Sequence, residues 1–466
     1  MRDIIFNRAI IFYIIVVLAA VFMWVNYVNT PYLLLAVSIG AIFLLLEMEI
    51  FLFYIFCVVF WVPISISYGP LNAVVDGASI SEVCIYIGIV GLVLKNVIAG
   101  KWKDVLSRIF KMPFLLPIVL FFTGGCIAHM FGGAPDKTFA YNLLRINCFY
   151  GPAVYLLFFW VIKKPESAKI CMLALIIGGC ILGLRYFYFF QFRRDVIVYV
   201  ESSLELMGGY LPFGKDQLSI TNSALAVYLS ALTCIAAAFC FVGSKRLERL
   251  IGLVGFFVLS FCLVFTQSRS TWIATILGVI LVIVLCIKYA RLNIFKIALF
   301  WVFVIAGIVA FLGYGFLTEA TTDRMQSILY SSSDVSLLTR FDIWRDSIGM
   351  IIYNPLGMGF RSSYNITLGI TSHNIFLATG LACGIIGVIS FIWLIVGWFK
   401  VMIGRMISSA ASDKMIYIAA IGGMFAFLFS SFFDSFNYFF IDVSIMWLVF
   451  GITVFDAGGK EAAPSS

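Results

Sequence analysis

A histidine and a few arginines are the residues of this chain whose positions suggest chemistry. His373, one of two histidines, stands beside Asn374 at the first step of a long apolar run, TSHNIFLATGLACGIIG. Because the ordinary pKa of an imidazole is about 6.5, a histidine near pH 7 is largely neutral and can accept a proton from an attacking hydroxyl. A single histidine at such a boundary is also commonly a hydrogen-bonded structural residue, so its position alone leaves both roles open.

Three arginines lie inside or between apolar runs, where a charge costs at least a few kcal/mol. Arg145 and Arg185 sit several residues inside apolar stretches, and Arg269 joins two such stretches in the sequence TQSRST. Acidic partners near them are scarce, so we favour an external anion, such as a phosphate group bound by planar guanidinium donors, over buried ion pairs. Arginines at helix ends also extend to lipid headgroups, and for each single arginine that alternative stays open.

The signatures of several other classes of enzyme are missing from the sequence. HExxH, GxSxG and GxxxxGK[ST] do not occur, which disfavours a metalloprotease, an ordinary serine hydrolase and an ATPase. The second histidine, His129, has no matching cysteine or carboxylate cluster, so we predict neither a metal site nor a cofactor. The eleven cysteines fall inside apolar runs without CxxC spacing and are interpreted as small core residues.

These residues must be held by membrane-spanning helices, because the composition excludes a soluble domain. The chain has 466 residues, of which 63% are hydrophobic and only 12% charged, and its mean hydropathy is +1.08. Apolar stretches of about 15 to 27 residues recur throughout, each long enough to cross a hydrocarbon core of about 30 Å as a helix. The sequence therefore predicts an all-α polytopic membrane bundle of about 12 to 14 transmembrane helices.

The predicted spans begin near residues 8, 31, 48, 80, 113, 141, 170, 217, 249, 270, 296, 373, 415 and 437. Glu47 and Glu49 interrupt the stretch 31–64, which could be two short helices or a hairpin that does not fully cross. We interpret residues 1–455 as one integral membrane domain with its first span retained, and residues 456–466 as a disordered cytoplasmic tail.

Alternate connections between the spans differ in their basic residues. One set, together with both termini, holds about 20 of the 31 basic residues and nearly all the lysines, which predicts that it faces the cytoplasm. The opposite side holds mostly arginines and two larger connections, 191–216 and 317–372. We therefore expect a multi-pass protein of the cytoplasmic (inner) membrane with both termini in the cytoplasm and a large folded extracytoplasmic loop over 317–372. Nucleic acid is not expected as a partner, since this topology explains the net charge of +8.

Part of that loop has a helical pattern. In LLTRFDIWRDSIGMIIYNPLGMGF, residues 337–360, the apolar residues are spaced as one stripe of a helix, formed by Leu338, Ile343, Trp344, Ile348, Ile351 and Ile352. The proline and glycines of NPLGMG then end the helix. We expect an interfacial helix that lies on the membrane and leads towards His373, with Arg340 and Arg345 beside its polar side. Such a helix could also serve only to cap the bundle.

Taken together, these segments resemble the bacterial O-antigen ligase and polymerase superfamily. The resemblance rests on TQSRST between two spans, RFDIWRDSIGMIIYNPLGMGF in the outer loop and SHN opening the next span, over roughly residues 140 to 400. His373, followed by ten residues and then Gly384, matches the family's pattern of His, ten residues, Gly. The companion pattern of Arg, three residues, Leu is not clearly present, because Phe189 follows Arg185 at that spacing. The role of Arg185 and the choice between ligase and polymerase therefore stay open.

The resemblance implies transfer of a glycan from undecaprenyl diphosphate to a sugar hydroxyl on the outer face of the cytoplasmic membrane. Ligases use the lipid A core as acceptor, and polymerases use another lipid-linked repeat. His373 would accept the proton of the hydroxyl, while Arg269, Arg145 and Arg185 would stabilise the departing diphosphate without a metal. Direct displacement would invert the anomeric centre.

Further candidate substrate contacts are Arg340, Arg345 and Asn374. A lipid-linked glycan flippase or another transporter remains the alternative from a different class. Transporters usually show repeated halves and broken helices, and neither is visible in this sequence.

Overall fold

The structure, a computed structural model, describes residues 85, 89, 100–132, 141, 144–192, 222–266, 268–290, 335–360, 372, 374–433 and 440–454. All the regular structure in these ranges is helical. In chain order the elements are α1 Trp102–Phe110, α2 Leu115–Phe131, a π-helical segment Arg145–Tyr150 that continues into α3 Gly151–Val161, α4 Pro165–Phe192, α5 Asn222–Val242, α6 Arg246–Phe265, α7 Arg269–Ala290, α8 Val335–Tyr353, α9 Ile375–Ser408, α10 Ala411–Phe432 and α11 Phe440–Thr453. The expected spans near residues 8, 31, 48 and 296, nearly all of the one near 80, and the tail 456–466 lie outside the described residues.

The described helices have the lengths and compositions of a helical membrane protein. Six of them, α4, α5, α6, α7, α9 and α10, are long and apolar enough to cross a membrane, and two shorter apolar helices cover Leu115–Phe131 and Asn147–Val161. The six helices begin within about five residues of predicted spans. The helical membrane architecture is thus confirmed, whereas the predicted total of 12 to 14 spans is not reached within the described part of the chain.

The centre of the bundle is α5. Every described side chain from Leu225 to Phe239 is buried, because α4, α6, α7 and α10 all pack around this helix. A helix that is apolar on all sides is expected at such a position. Ser230 and Thr233 find hydrogen-bond partners inside the bundle, as where the Thr275 hydroxyl of α7 donates to Ser230 Oγ at 2.8 Å. The buried Tyr228 hydroxyl has no hydrogen-bond partner among the described residues.

Two further helix pairs complete the described bundle: α2 packs against α9, and α3 packs against α11. In the second pair, the indole of Trp447 lies over Gly151, which leaves no room for a side chain at that position. Trp447 also lies beside Tyr155, with ring centroids 6.3 Å apart. These contacts fix α11 beside the start of α3, close to the π-helical segment.

Polar contacts tie several helix ends together at one end of the bundle. Lys169 Nζ of α4 forms an ion pair with Asp413 of α10 at 3.1 Å, Lys414 Nζ donates to the carbonyl of Tyr289 at the end of α7, and Arg405 of α9 donates to the carbonyl of Thr453 in α11. The short connections 162–164, 243–245 and 409–410 lie at this end, which we call the lysine end. Because consecutive helices from α2 to α7 and from α9 to α11 alternate in direction, the starts of the π-helical segment, α7 and α9 lie at the opposite end, which we call the arginine end.

Candidate active site at the arginine end

The start of α9 is a capped and buried helix terminus. The side-chain oxygen of Asn374 accepts hydrogen bonds from the backbone N–H groups of Phe376 at 2.9 Å and Leu377 at 3.2 Å, which is the geometry of an N-cap. The Ser372 hydroxyl donates to the Asn374 carbonyl at 3.3 Å. Ser372 and Asn374 are only 1% and 3% exposed. His373 itself lies outside the described residues, but both of its sequence neighbours are buried at the N-terminal end of α9.

Helix α9 is broken at Gly384, ten residues after Asn374. Gly384 has φ 71° and ψ −169°, a conformation open essentially to glycine alone. On one side of the break, the Leu381 carbonyl accepts a hydrogen bond from the N–H of Met358 at 2.7 Å; on the other, the N–H of Ile385 donates to the Pro355 carbonyl at 2.9 Å. The turn formed by residues 354–360, which contains NPLGMG, is therefore docked into the break. The sequence predicted that NPLGMG would end α8, which is confirmed, but gave no sign of the break.

Helix α8 lies beside the first turns of α9 and runs in the same direction. Its Ile351 side chain lies against Gly380. The ring centroids of Trp344 and Phe432 are 5.3 Å apart, and those of Phe432 and Phe376 are 6.4 Å apart. Within α8, Ile343 and Ser347 are buried and face the bundle. The helix is thus a wall of the arginine end.

The predicted apolar stripe of α8 is only partly correct. Ile343 is buried and Trp344 and Ile351 are partly buried, but Ile348 is 49% exposed and Ile352 67% exposed. The buried stripe instead follows the spacing Ile343, Ser347, Ile351, because α8 packs on α9 through one narrow face. The side chain of the remaining stripe residue, Leu338, lies outside the described part.

The two arginines of α8 occupy different environments. Arg345 is 76% exposed and lies near the carboxylates of Asp342 at 3.3 Å and Asp346 at 3.8 Å, on the polar side as predicted. Arg340 is partly buried and stands one helical turn before Trp344, towards the outer part of the arginine end. Of the two, Arg340 is therefore the one placed among packed side chains.

Arg145 is the first residue of the π-helical segment. The segment has a clear cause in the sequence, because Pro152 lacks an N–H and its ring clashes with the carbonyl four residues earlier, which widens the preceding turn. Such wide turns are frequent at functional sites. The wide turn carries Arg145, which is partly buried, and Asn147, two residues further on.

A small cavity of about 40 Å³ lies between this segment and the first turns of α9. It has room for a few water molecules. Its walls come from α2, the π-helical segment, the 354–360 turn, α9, α10 and α11, through Phe121, Asn147, Phe360, Ile375, Ala378, Thr379, Ala382, Cys383, Phe391, Phe427, Met446 and Trp447. The π-helical segment, which begins at Arg145, and the first turns of α9 therefore both contribute walls to one cavity through Asn147 and Ile375.

Arg269 and Arg185 are placed differently. Arg269 is the first residue of α7 and is partly buried. The predicted short connection between two apolar helices is confirmed, because α6 ends at Phe265 and α7 begins at Arg269. The Thr266 hydroxyl and the Trp272 indole both donate to the Leu263 carbonyl and close this turn. Arg269 is not among the described residues that line the cavity, since α7 packs on α5 and α10. The backbone of Arg185 belongs to the last two turns of α4, and its side chain lies outside the described part.

Sequence reasoning missed three parts of this site. Asn147 and Thr379 line the cavity, and the glycine and proline that follow the π-helical segment could have indicated its wide turn. The third, His129, was set aside, yet its Nδ1 is buried and has no hydrogen-bond partner among the described residues. It lies at the end of α2, where Gly359 of the turn approaches its backbone.

Comparison with known families decides how this arrangement is classified. Residues 254–392 match a family model described as O-Antigen ligase. This part of the chain is similar to an O-antigen ligase domain. It extends from α6 through the TQSRST hairpin and α8 to the start of α9 and past the break at Gly384. The resemblance to the O-antigen ligase and polymerase superfamily is thereby confirmed. No curated protein matches the chain.

The match to the O-antigen ligase model, together with the six apolar helices, supports a function in glycan assembly by a multi-pass membrane protein. Lipid-linked glycans and saccharide acceptors are the classes of substrate that this family implies. The matched range includes both Arg269 and His373, two of the site residues predicted from the sequence.

Proposed function

We propose that the protein is a ligase-type glycosyltransferase that moves a glycan from undecaprenyl diphosphate to a sugar hydroxyl on the periplasmic face of the inner membrane. The observation that carries the proposal is the O-antigen ligase match over residues 254–392. Further support comes from the cavity that joins the start of α9 to the segment bearing Arg145. The acceptor is the lipid A core or another saccharide.

In this proposal, His373 accepts the proton of the acceptor hydroxyl as the oxygen attacks the anomeric carbon. The bond from that carbon to the diphosphate breaks, and the anomeric centre inverts. Arg145 and Arg269, with Arg185 as a further candidate, stabilise the negative charge that grows on the diphosphate. Fixed guanidinium groups take the place of a divalent metal, so the reaction is metal-independent.

The remaining candidates have supporting tasks. Arg340, which is partly buried in α8, contacts the substrate from the wall beside α9, and Arg345 does so from the outer surface. Because the side-chain oxygen of Asn374 is already used by the helix cap, only its amide nitrogen is left for a substrate. The cavity is much smaller than a sugar-binding pocket of several hundred Å³, so we assign it as the inner boundary of the site.

Deletion of the gene, followed by inspection of the surface glycans, tests the proposal and distinguishes a ligase from a polymerase. A ligase deletion loses attached surface glycan while long lipid-linked chains remain, whereas a polymerase deletion leaves single unpolymerised repeats. Full attachment of normal glycan in the deletion strain would overturn both activities. The purified protein in nanodiscs, given a lipid-linked donor and a core acceptor, should form the glycosidic bond equally well with and without EDTA.

The broken helix α9 is the one observation that favours the transporter alternative, because transporters often bind substrates at broken helices. A transporter moves the lipid-linked glycan without changing a bond. Product formation by the purified protein, detected by mass spectrometry with the donor and acceptor on the same side of the bilayer, therefore excludes a flippase as the sole activity. Movement of the donor across the bilayer without product would support it.

A further inference from the structure

The break in α9 separates two residues that a continuous helix would bond to each other. In an α-helix the N–H of Ile385 would donate to the carbonyl of Leu381, four residues earlier. Instead, each group bonds to the 354–360 turn: Ile385 to Pro355 and Leu381 to Met358. The turn thus takes the place of one helical hydrogen bond and leaves neither of these backbone groups without a partner.

The contact between the turn and the break is close enough to require glycine on both sides. Gly384 and Gly357 both have positive φ, 71° and 87°. A Cβ atom on Gly384 would overlap the Pro355 carbonyl, and one on Gly357 would overlap the backbone of Gly384. Since backbone atoms cannot move aside as a flexible side chain can, a substitution at either position must shift the turn or the helix.

The break lies between the part of α9 that spans the bundle and the part that carries the predicted site. Residues 375–383, about 14 Å of helix at 1.5 Å per residue, follow Asn374 and supply five of the cavity's wall residues. The direction of this short segment depends on the conformation at Gly384. A small rotation there would move Asn374, at the far end of the segment, relative to the π-helical segment that forms another wall of the cavity.

We propose that Gly384 and the 354–360 turn form a clasp that positions His373 for proton transfer. This proposal rests on the proposed function. Gly384 and the turn are positioning residues, because they act on the reaction only through the start of α9. The clasp also ties α8 to the same segment, since the turn directly follows α8.

Double-mutant cycles test whether the clasp acts through His373. Gly384→Ala should lower kcat about 100-fold, the size of effect that a displacement of about 1 Å produces, while the KM for the lipid-linked donor changes by less than about 3-fold. In the His373→Ala background the same substitution should change the residual rate by less than about 3-fold, because the group that the clasp positions is already gone. Gly404→Ala is the matched control in α9, since no atom lies within 4 Å of an added Cβ, and it should leave both constants unchanged.

Pro355→Gly provides a second cycle should Gly384→Ala fail to accumulate in the membrane. This substitution keeps the backbone carbonyl that accepts from the N–H of Ile385, but it makes the turn more flexible. We expect kcat to fall about 5- to 10-fold in the wild-type background and to stay unchanged in the His373→Ala background. The proposed clasp would be overturned if kcat fell equally in the wild-type and His373→Ala backgrounds, or if neither Gly384→Ala nor Pro355→Gly lowered kcat. Neither result would contradict the proposed transferase function. A wild-type protein without transfer activity would overturn the proposed function, and the clasp with it. Full activity of His373→Ala would overturn its role as base.

Discussion

Gly124 of α2 lies directly against the carbonyl oxygen of Cys383, the last residue before the break in α9. An added Cβ at Gly124 would stand 3.0 Å from that oxygen and 3.2 Å from the N–H of Gly387. The two helices therefore touch at backbone distance beside the cavity, and small residues are what permit such a close approach between membrane helices.

This contact predicts opposite effects for two glycine-to-alanine substitutions. In a free helix the change stabilises by roughly 1 kcal/mol, so Gly404→Ala, with open space around it, should raise the melting temperature in detergent slightly. Gly124→Ala should lower the melting temperature because α2 and α9 must separate. Parallel melts of the two purified variants check this, and a rise for both would show that the helices are not in backbone contact.

The helix cap formed by Asn374 predicts that two substitutions at this position will differ in their effect on stability. Asn374→Ala removes the oxygen that accepts from Phe376 and Leu377 and should cost about 1 kcal/mol of stability. Asn374→Asp keeps an acceptor oxygen and should therefore retain most of the stability that the cap provides. Thermal unfolding of both variants is the measurement, and an Ala variant as stable as wild type would contradict the cap.

Some of this site follows from the sequence because local chemistry determines it. The polar TQSRST stretch between two apolar runs predicted a tight hairpin, and the proline and glycines of NPLGMG predicted the end of α8. Both depend only on which backbone conformations these residues allow. The His373 boundary was visible because a titratable side chain at the start of an apolar run is unusual in a membrane helix.

Other parts could not be predicted because they depend on packing. Gly380, Gly384 and Gly387 occur in one apolar run, and nothing local distinguishes the one at which the helix breaks. Only the docking of the 354–360 turn decides it. On α8, Ser347 is buried and Ile352 exposed, since an apolar side chain is also stable against lipid and hydropathy alone does not tell inside from outside.

The ion pair at the lysine end predicts an effect on stability without an effect on chemistry. Lys169 and Asp413 have side chains only 8% and 23% exposed, so Lys169→Met leaves a largely buried carboxylate and should cost up to about 3 kcal/mol. The double variant Lys169→Met with Asp413→Leu should recover most of the loss. Melting curves and transfer rates check both points, and equal destabilisation of the single and double variants would contradict the pairing.

Arg269 is predicted to act through the shape of its guanidinium group as well as its charge. Arg269→Lys keeps the charge but loses the planar pair of donors, and it should lower kcat at least about 10-fold because the charge on the diphosphate grows in the transition state. Arg249→Lys, at the lysine end, is the matched control and should have normal kinetics. Unchanged donor use by Arg269→Lys would argue against a bidentate contact.

The central claim is that one imidazole at the start of α9 serves as the base of glycan transfer. The most direct measurement is the rate at which purified His373→Ala, inserted in nanodiscs, forms the glycosidic bond from a lipid-linked donor. We predict a loss of about 100- to 10,000-fold in kcat, the usual contribution of a general base, with donor binding preserved. Turnover within a few-fold of wild type would contradict the account.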